Sequence, residues 1–314
     1  MKIRRIFQPF AAAALAASVA ACSGSPAAAP PTQNTFQSRG TLLTQFAAPH
    51  SPALLFASTG RQNLIQIYDA AAPHTLVGQI TTGLSGPNAL AVDTKGNLWV
   101  VNVDGRNVAE YAPGSTKPSF KITRGLNNPL TVAVGNDGTV YISDINDTTG
   151  AGKIFEFPEH QITPSFTISL PAAVIGLAVD AKNNVFATTA NLSTGASRVL
   201  EFAPKSTKGT DLGIKLKFAG RMAVDSKDNL IIIDQTAPAV EVFAPGSNKP
   251  SNEITSGFTD PFGVALNHDS TRLFVGDGAG DTINVYTYPG LKFLNKIART
   301  AATFGVAVNP PAPI

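Results

Sequence analysis

The sequence predicts an all-β fold, a six-bladed β-propeller whose ring is closed by the C-terminal strand joining the first blade. Three observations predict it. A short apolar run ending in a polar turn recurs as Ala89-Leu-Ala-Val-Asp93, Thr131-Val-Ala-Val-Gly135, Gly176-Leu-Ala-Val-Asp180, Arg221-Met-Ala-Val-Asp225, Gly263-Val-Ala-Leu-Asn267 and Gly305-Val-Ala-Val-Asn309, at intervals of 42, 45, 45, 42 and 42 residues. Three further short runs fill each interval, and four strands in about 43 residues is the length of one propeller blade. The chain also begins its repeats one strand short and ends them one strand over.

The first-strand runs are almost uniformly apolar, as strands buried on both faces are. A second run follows each after a turn: Leu98-Trp-Val-Val-Asn102, Val140-Tyr-Ile-Ser-Asp144, Val185-Phe-Ala-Thr-Thr189, Leu230-Ile-Ile-Ile-Asp234 and Leu273-Phe-Val-Gly-Asp277. Leu54-Leu-Phe-Ala-Ser58 reads as a sixth copy without an upstream partner. The intervening turns, such as Thr94-Lys-Gly-Asn97 and Ser226-Lys-Asp-Asn229, supply Gly, Asn and Asp where a hairpin needs positive φ. Third-strand runs such as Asn107-Val-Ala-Glu-Tyr111 and Arg198-Val-Leu-Glu-Phe202 alternate, which predicts half-exposed strands. Several run into Ala-Pro-Gly-Ser or a close variant, where Pro ends the ladder because it has no N–H to donate. A weaker fourth run, as at Ser119-Phe-Lys-Ile-Thr123, completes the unit. Placing the orphan run Phe304–Asn309 in the first blade removes two open sheet edges.

Composition agrees. Of 314 residues 43% are hydrophobic and 14% charged, which excludes a charged disordered chain, and the single Cys excludes a disulfide scaffold or a zinc site built from two thiolates. A formal charge of +3 with no basic run beyond the N-terminus argues against nucleic acid as a partner.

Residues 1–21 read as an export signal: Lys2, Arg4 and Arg5, then an apolar stretch too short for a permanent span of about 20 residues. Val19-Ala-Ala-Cys22 resembles a bacterial lipobox, and the chain's one Cys falls where that motif needs it. The resemblance implies lipid attachment at Cys22, and Ser23 after it implies delivery to the outer membrane. Acyl chains bury methylenes at roughly 0.8 kcal/mol each, so two or three would anchor the protein without a transmembrane segment. Residues 22–50, rich in Pro, Ala and Ser, read as a flexible tether, residues 51–310 as the propeller and 311–314 as a tail. Without residues 1–21 the chain carries 21 basic and 21 acidic side chains and is formally neutral.

The blade pattern of Ala-Val-Asp, then Gly-Asn-Leu-Trp-Val, then Val-x-Glu-Tyr/Phe-Ala-Pro-Gly resembles NHL-repeat six-bladed propellers and the neighbouring regucalcin/gluconolactonase-like superfamily over about residues 51–310. NHL repeats usually place an Arg before the third strand; Arg198 fits, whereas Asn107, Lys153 and Ala239 depart. The lactonases implied by this resemblance hold a divalent cation with Glu, Asn and Asp side chains at the ring mouth. Here the six corresponding first-strand positions are Asn88, Leu130, Ile175, Gly220, Phe262 and Phe304, of which only Asn88 could ligate.

A second ring at the same mouth is more polar: Ser58, Asn102, Asp144, Thr189, Asp234 and Asp277. Asn88, Asn102, Asp144, Asp234 and Asp277 are therefore the candidate ligand or metal residues, sufficient at most for weak Ca²⁺. The competing reading is that each Asp accepts backbone N–H bonds from the adjoining loop. The four histidines share no spacing, and no Gly-x-Ser-x-Gly elbow occurs. The expected function is a lipid-anchored, non-catalytic binding or scaffolding module of the cell envelope, with no cofactor, held to the membrane by its lipid and meeting an envelope protein, glycan or small ligand. The alternative is a divalent-metal lactonase-like hydrolase.

Overall fold

A computed structural model of the chain describes residues 53–299 and 301–314. The export signal, Cys22 and the tether through residue 50 lie outside the described residues. Six four-stranded antiparallel sheets make up the fold. Blade 2 runs outward through Pro87–Val92, Leu98–Asn102, Asn107–Tyr111 and Phe120–Ile122. Blades 3, 4, 5 and 6 repeat this meander from the inner strands Pro129–Val134, Ala173–Val179, Ala219–Val224 and Pro261–Leu266. Blade 1 is assembled from both ends: Val306–Asn309 is its inner strand, followed by Leu54–Thr59, Leu64–Asp69 and Leu76–Ile80. The inner strands neighbour one another in blade order and close the ring between blades 6, 1 and 2.

Blade 1 corrects the sequence register by one residue. Leu55 faces Val308 as Leu98 faces Val92, so Thr59, not Ser58, matches Asn102, Asp144, Asp234 and Asp277. Ser58 instead matches Ser143 and Thr188. Leu54–Thr59 is buried at every position, so alternation carries no register there, and no hairpin turn ties this strand to its inner neighbour. The third strands are also more buried than their alternation predicts. Asn107–Tyr111 is buried throughout, because neighbouring blades cover both faces, and exposure passes to fourth strands such as Asn252–Ile254.

The core is divided among the gaps between blades. Leu98, Val100 and Tyr111 meet Phe56, Ile65 and Ile67 between blades 1 and 2, and comparable clusters fill the other gaps. Hairpins between first and second strands are tied by carboxylates: Asp93, Asp180 and Asp225 each accept the backbone N–H groups two and four residues ahead and the side-chain amide of Asn97, Asn184 or Asn229. Gly96 (φ 83°) occupies the left-handed position of one such turn, and Asn183 and Asp228 fill it in others.

Residues 311–314 do not hang free. Pro311 bridges Asn267 of blade 6, Ile314 packs on the cluster between blades 4 and 5, and its carbonyl accepts from Asn136 of blade 3. The segment thus crosses the ring face that carries the first hairpin turns.

Candidate binding site at the ring mouth

The first strands of blades 2 to 6 each leave their ladder at one place, in register shifts around Asn88, Leu130, Ile175, Gly220–Arg221 and Phe262. A residue bulged out of the ladder has no cross-strand partner, so the strand bends there and re-aims a side chain. In blade 5 this produces a feature that the sequence register, with Gly220 at the inner slot, missed. Arg221, 8% exposed, extends from blade 5 to blade 2, three places away around the ring in either direction. Its Nη2 donates to Asn88 Oδ1 and, at 3.5 Å, to the carbonyl of Leu130. Its guanidinium lies 5.6 Å from the centroid of Phe262, which meets Phe304 edge-to-face at 5.2 Å. Burial pushes the Arg221 guanidinium down to about 9, so it remains charged at neutral pH.

Both ends of this strut are held from the preceding blade. Ser58 Oγ donates to the carbonyl of Asn88 at 2.6 Å, and Thr188 Oγ1 donates to the carbonyl of Gly220 at 2.6 Å. Small residues elsewhere at the Arg221 position are required by close packing: a Cβ on Gly305 would lie 2.3 Å from the Asn88 carbonyl oxygen. The signal in the sequence was a lone charge at a position otherwise held by Ala89, Thr131, Gly176, Gly263 and Gly305.

The more polar ring ends the second strands, and its Asn and Asp members are bonded to backbone. Asp144 Oδ2 accepts the N–H groups of Asn127 (2.7 Å) and Asn128 (3.1 Å); burial pushes its carboxyl up while these two bonds pull it down. Asp234 takes the N–H groups of Lys217 and Phe218, and Asp277 those of Thr259 and Asp260. Asn102 accepts from Ser85 N–H and donates to Gly83 and Asn107. Each fastens the loop entering its own blade to the end of the second strand. Asp144, Asp234 and Asp277 therefore stand in separate blades, Asp234 and Asp277 with both carboxylate oxygens and Asp144 with Oδ2 engaged by backbone, and of the sequence candidates only Asn88 reaches Arg221. Among the described residues, no three His, Cys, Asp or Glu side chains are grouped to hold a metal ion.

No family model matches the chain, and no curated protein matches it either. Solved structures do. A chain of a nidogen/laminin complex is 14% identical, with 82% of this chain and 98% of that one covered at a TM-score of 0.64. A protein of unknown function from Bacteroides caccae is 11% identical (82% and 99% covered, TM-score 0.65). A functionally unknown protein from Desulfotomaculum acetoxidans is 15% identical (83% and 99% covered, TM-score 0.60). At such identities these likenesses speak for the fold alone.

Proposed function

We propose that the protein is a non-catalytic binding or scaffolding module, held at the cell envelope by lipid on Cys22. The observation that carries the non-catalytic reading is the Arg221–Asn88 strut. A lactonase-like centre needs a divalent cation at the mouth, yet the one first-strand residue able to ligate it is bonded to a buried guanidinium. That fixed positive charge opposes a cation, and the carboxylates of Asp234 and Asp277 that end the second strands are occupied by loop N–H groups. The occurrence of a similar propeller in a nidogen/laminin complex supports protein binding as the use of the fold.

Envelope extracts of cells expressing the full chain test this. The expected result is a defined, stoichiometric complex after cross-linking, with the chain partitioning into detergent and moving to the aqueous phase on Cys22→Ser. Lactone hydrolysis abolished by a chelator and restored by Ca²⁺, Zn²⁺ or Mn²⁺ would overturn the non-catalytic reading. Unchanged partitioning of the Cys22→Ser chain would overturn the anchor.

A further inference from the structure

Three of the six gaps between successive blades carry a carboxylate at the same place on the outer rim, and one of the three lacks the partner that answers it in the other two. Glu110, Glu156 and Glu201 occupy the same place on the third strands of blades 2, 3 and 4, paired across the strands to Trp99, Tyr141 and Phe186. In the next blade, the turn after the third strand carries a left-handed residue, and that residue closes the gap. His160 (φ 54°) in blade 3 sits 3.2 Å from Glu110 and packs edge-on against Phe120. Lys205 (φ 57°) in blade 4 pairs with Glu156 and lies over Phe166. In blade 5 the corresponding residue is Gly246, and the residue matching Phe120 and Phe166 is Thr210.

The carboxylate of Glu201 is thereby left without a hydrogen bond or ion pair among the described residues, and it borders a cavity of about 430 Å³ between blades 4 and 5. Phe186, Leu212, Leu230 and Pro245 supply apolar wall. The one cation on the lining, Lys182, pairs with Asp228 at 3.5 Å, and Asp180 is engaged by its own hairpin turn. With Asp180, Glu201 and Asp228 against Lys182, the lining is net acidic.

We propose that this cavity binds a primary alkylammonium group, carried by a lysine of a partner protein or by a free polyamine, with its methylenes on the apolar wall and its nitrogen on Glu201. The ligand takes the place that Lys205 fills in the preceding gap. This names the chemistry of one site on the binding module and rests on that reading, but the two fail separately: a partner complex that persists without Glu201 leaves the module and removes the site.

The test is titration of the ¹⁵N-labelled protein with Nα-acetyl-lysine N-methylamide and, in parallel, with spermidine, following the amides of Gly246 and Ser247. Saturable shifts are expected, with the tighter probe naming the source, and the norleucine analogue, which lacks the charge, should bind about tenfold or more weakly. Glu201→Gln should weaken the charged probe by a similar factor. Gly246→Lys should abolish binding in a protein that still melts cooperatively, somewhat below the parent because a side chain at φ 72° is strained. A Cβ at Gly246 meets no atom within 4 Å, and Lys205 holds the same backbone conformation. Equal binding of the norleucine analogue, indifference to Glu201→Gln, or no saturable shift with either probe would overturn the proposal.

Discussion

The inner and outer layers of the ring handle buried polar groups in opposite ways. Near the axis, polar side chains are answered within the fold, mostly by backbone: Asp144, Asp234 and Asp277 by loop N–H groups, Arg221 by Asn88 and Leu130, and Ser58 by both Gly305 N–H and the Asn88 carbonyl. At the rim, the third-strand carboxylates depend on a side chain from the next blade, which differs from gap to gap. The backbone is the same in every repeat, so the inner layer tolerates drift in sequence. The outer layer converts drift directly into chemistry, from the Glu156–Lys205 pair to the open Glu201.

The largest effect should come from breaking the inner layer at its seam. Blade 1 is held by pairing of Leu54–Ala57 with Val306–Asn309, with no hairpin to support it. Deleting residues 303–314 removes this strand, bares the buried Leu55 and Ala57, and opens two sheet edges. The cost should rival the ~5–15 kcal/mol that holds a typical domain together, so the truncated chain should lose its cooperative melt and aggregate. A cooperative transition at the parent temperature would show that the ring closes without this strand.

Next comes the clamp beside that seam. Arg299, 8% exposed, donates to Gln66 Oε1 (2.9 Å), Thr303 Oγ1 (2.6 Å) and the Ala57 carbonyl (3.2 Å), tying the linker before the last strand to the two strands outside it. Arg299→Met leaves the buried Ala57 carbonyl and Thr303 Oγ1 without this donor and should cost about 3 kcal/mol in urea unfolding. Arg198→Met is the control, since the Arg198–Asp211 pair at 3.8 Å is exposed and worth under ~0.5 kcal/mol. Equal losses from the two would remove the special standing of the seam.

At the rim, Lys205→Met strands Glu156, whose side chain is only 3% exposed. A loss of about 2 kcal/mol is expected, recovered in large part by adding Glu156→Gln. Additive losses in the double variant would mean that the pair does not act as a pair.

The same division explains what was legible in the sequence. The blade count and the C-terminal closure followed from runs such as Gly305–Asn309, because β-ladders repeat with period and turn chemistry. The register of Leu54–Ser58 did not follow, since a strand buried on both faces has no alternation to read. Arg221 was visible as an odd charge, but its reach to Asn88 depends on a bulge that no spacing announces. Glu110, Glu156 and Glu201 look alike in sequence. Their difference lies in the left-handed residue of the following blade, which is 45 to 50 residues away.

Glu241 gives the mildest and most specific test of the outer layer. It lies on the third strand of blade 5 directly opposite Glu253, and among the described residues it has no cation partner. Burial, reinforced by the charges of Asp234 and Glu253, pushes its carboxyl from the ordinary 4.5 up to about 7. The folded state therefore binds more protons than the unfolded chain between these values. The stabilisation this proton provides is complete below pH 4.5 and is lost as the pH rises through 7. After allowance for solvent screening, the loss should be on the order of 1–2 kcal/mol. Glu241→Gln should match the parent near pH 4.5 and exceed it by that amount at pH 8, measured by urea unfolding. An offset between the two proteins that stays constant from pH 4.5 to 8 would place Glu241 in water and remove the burial assigned to it.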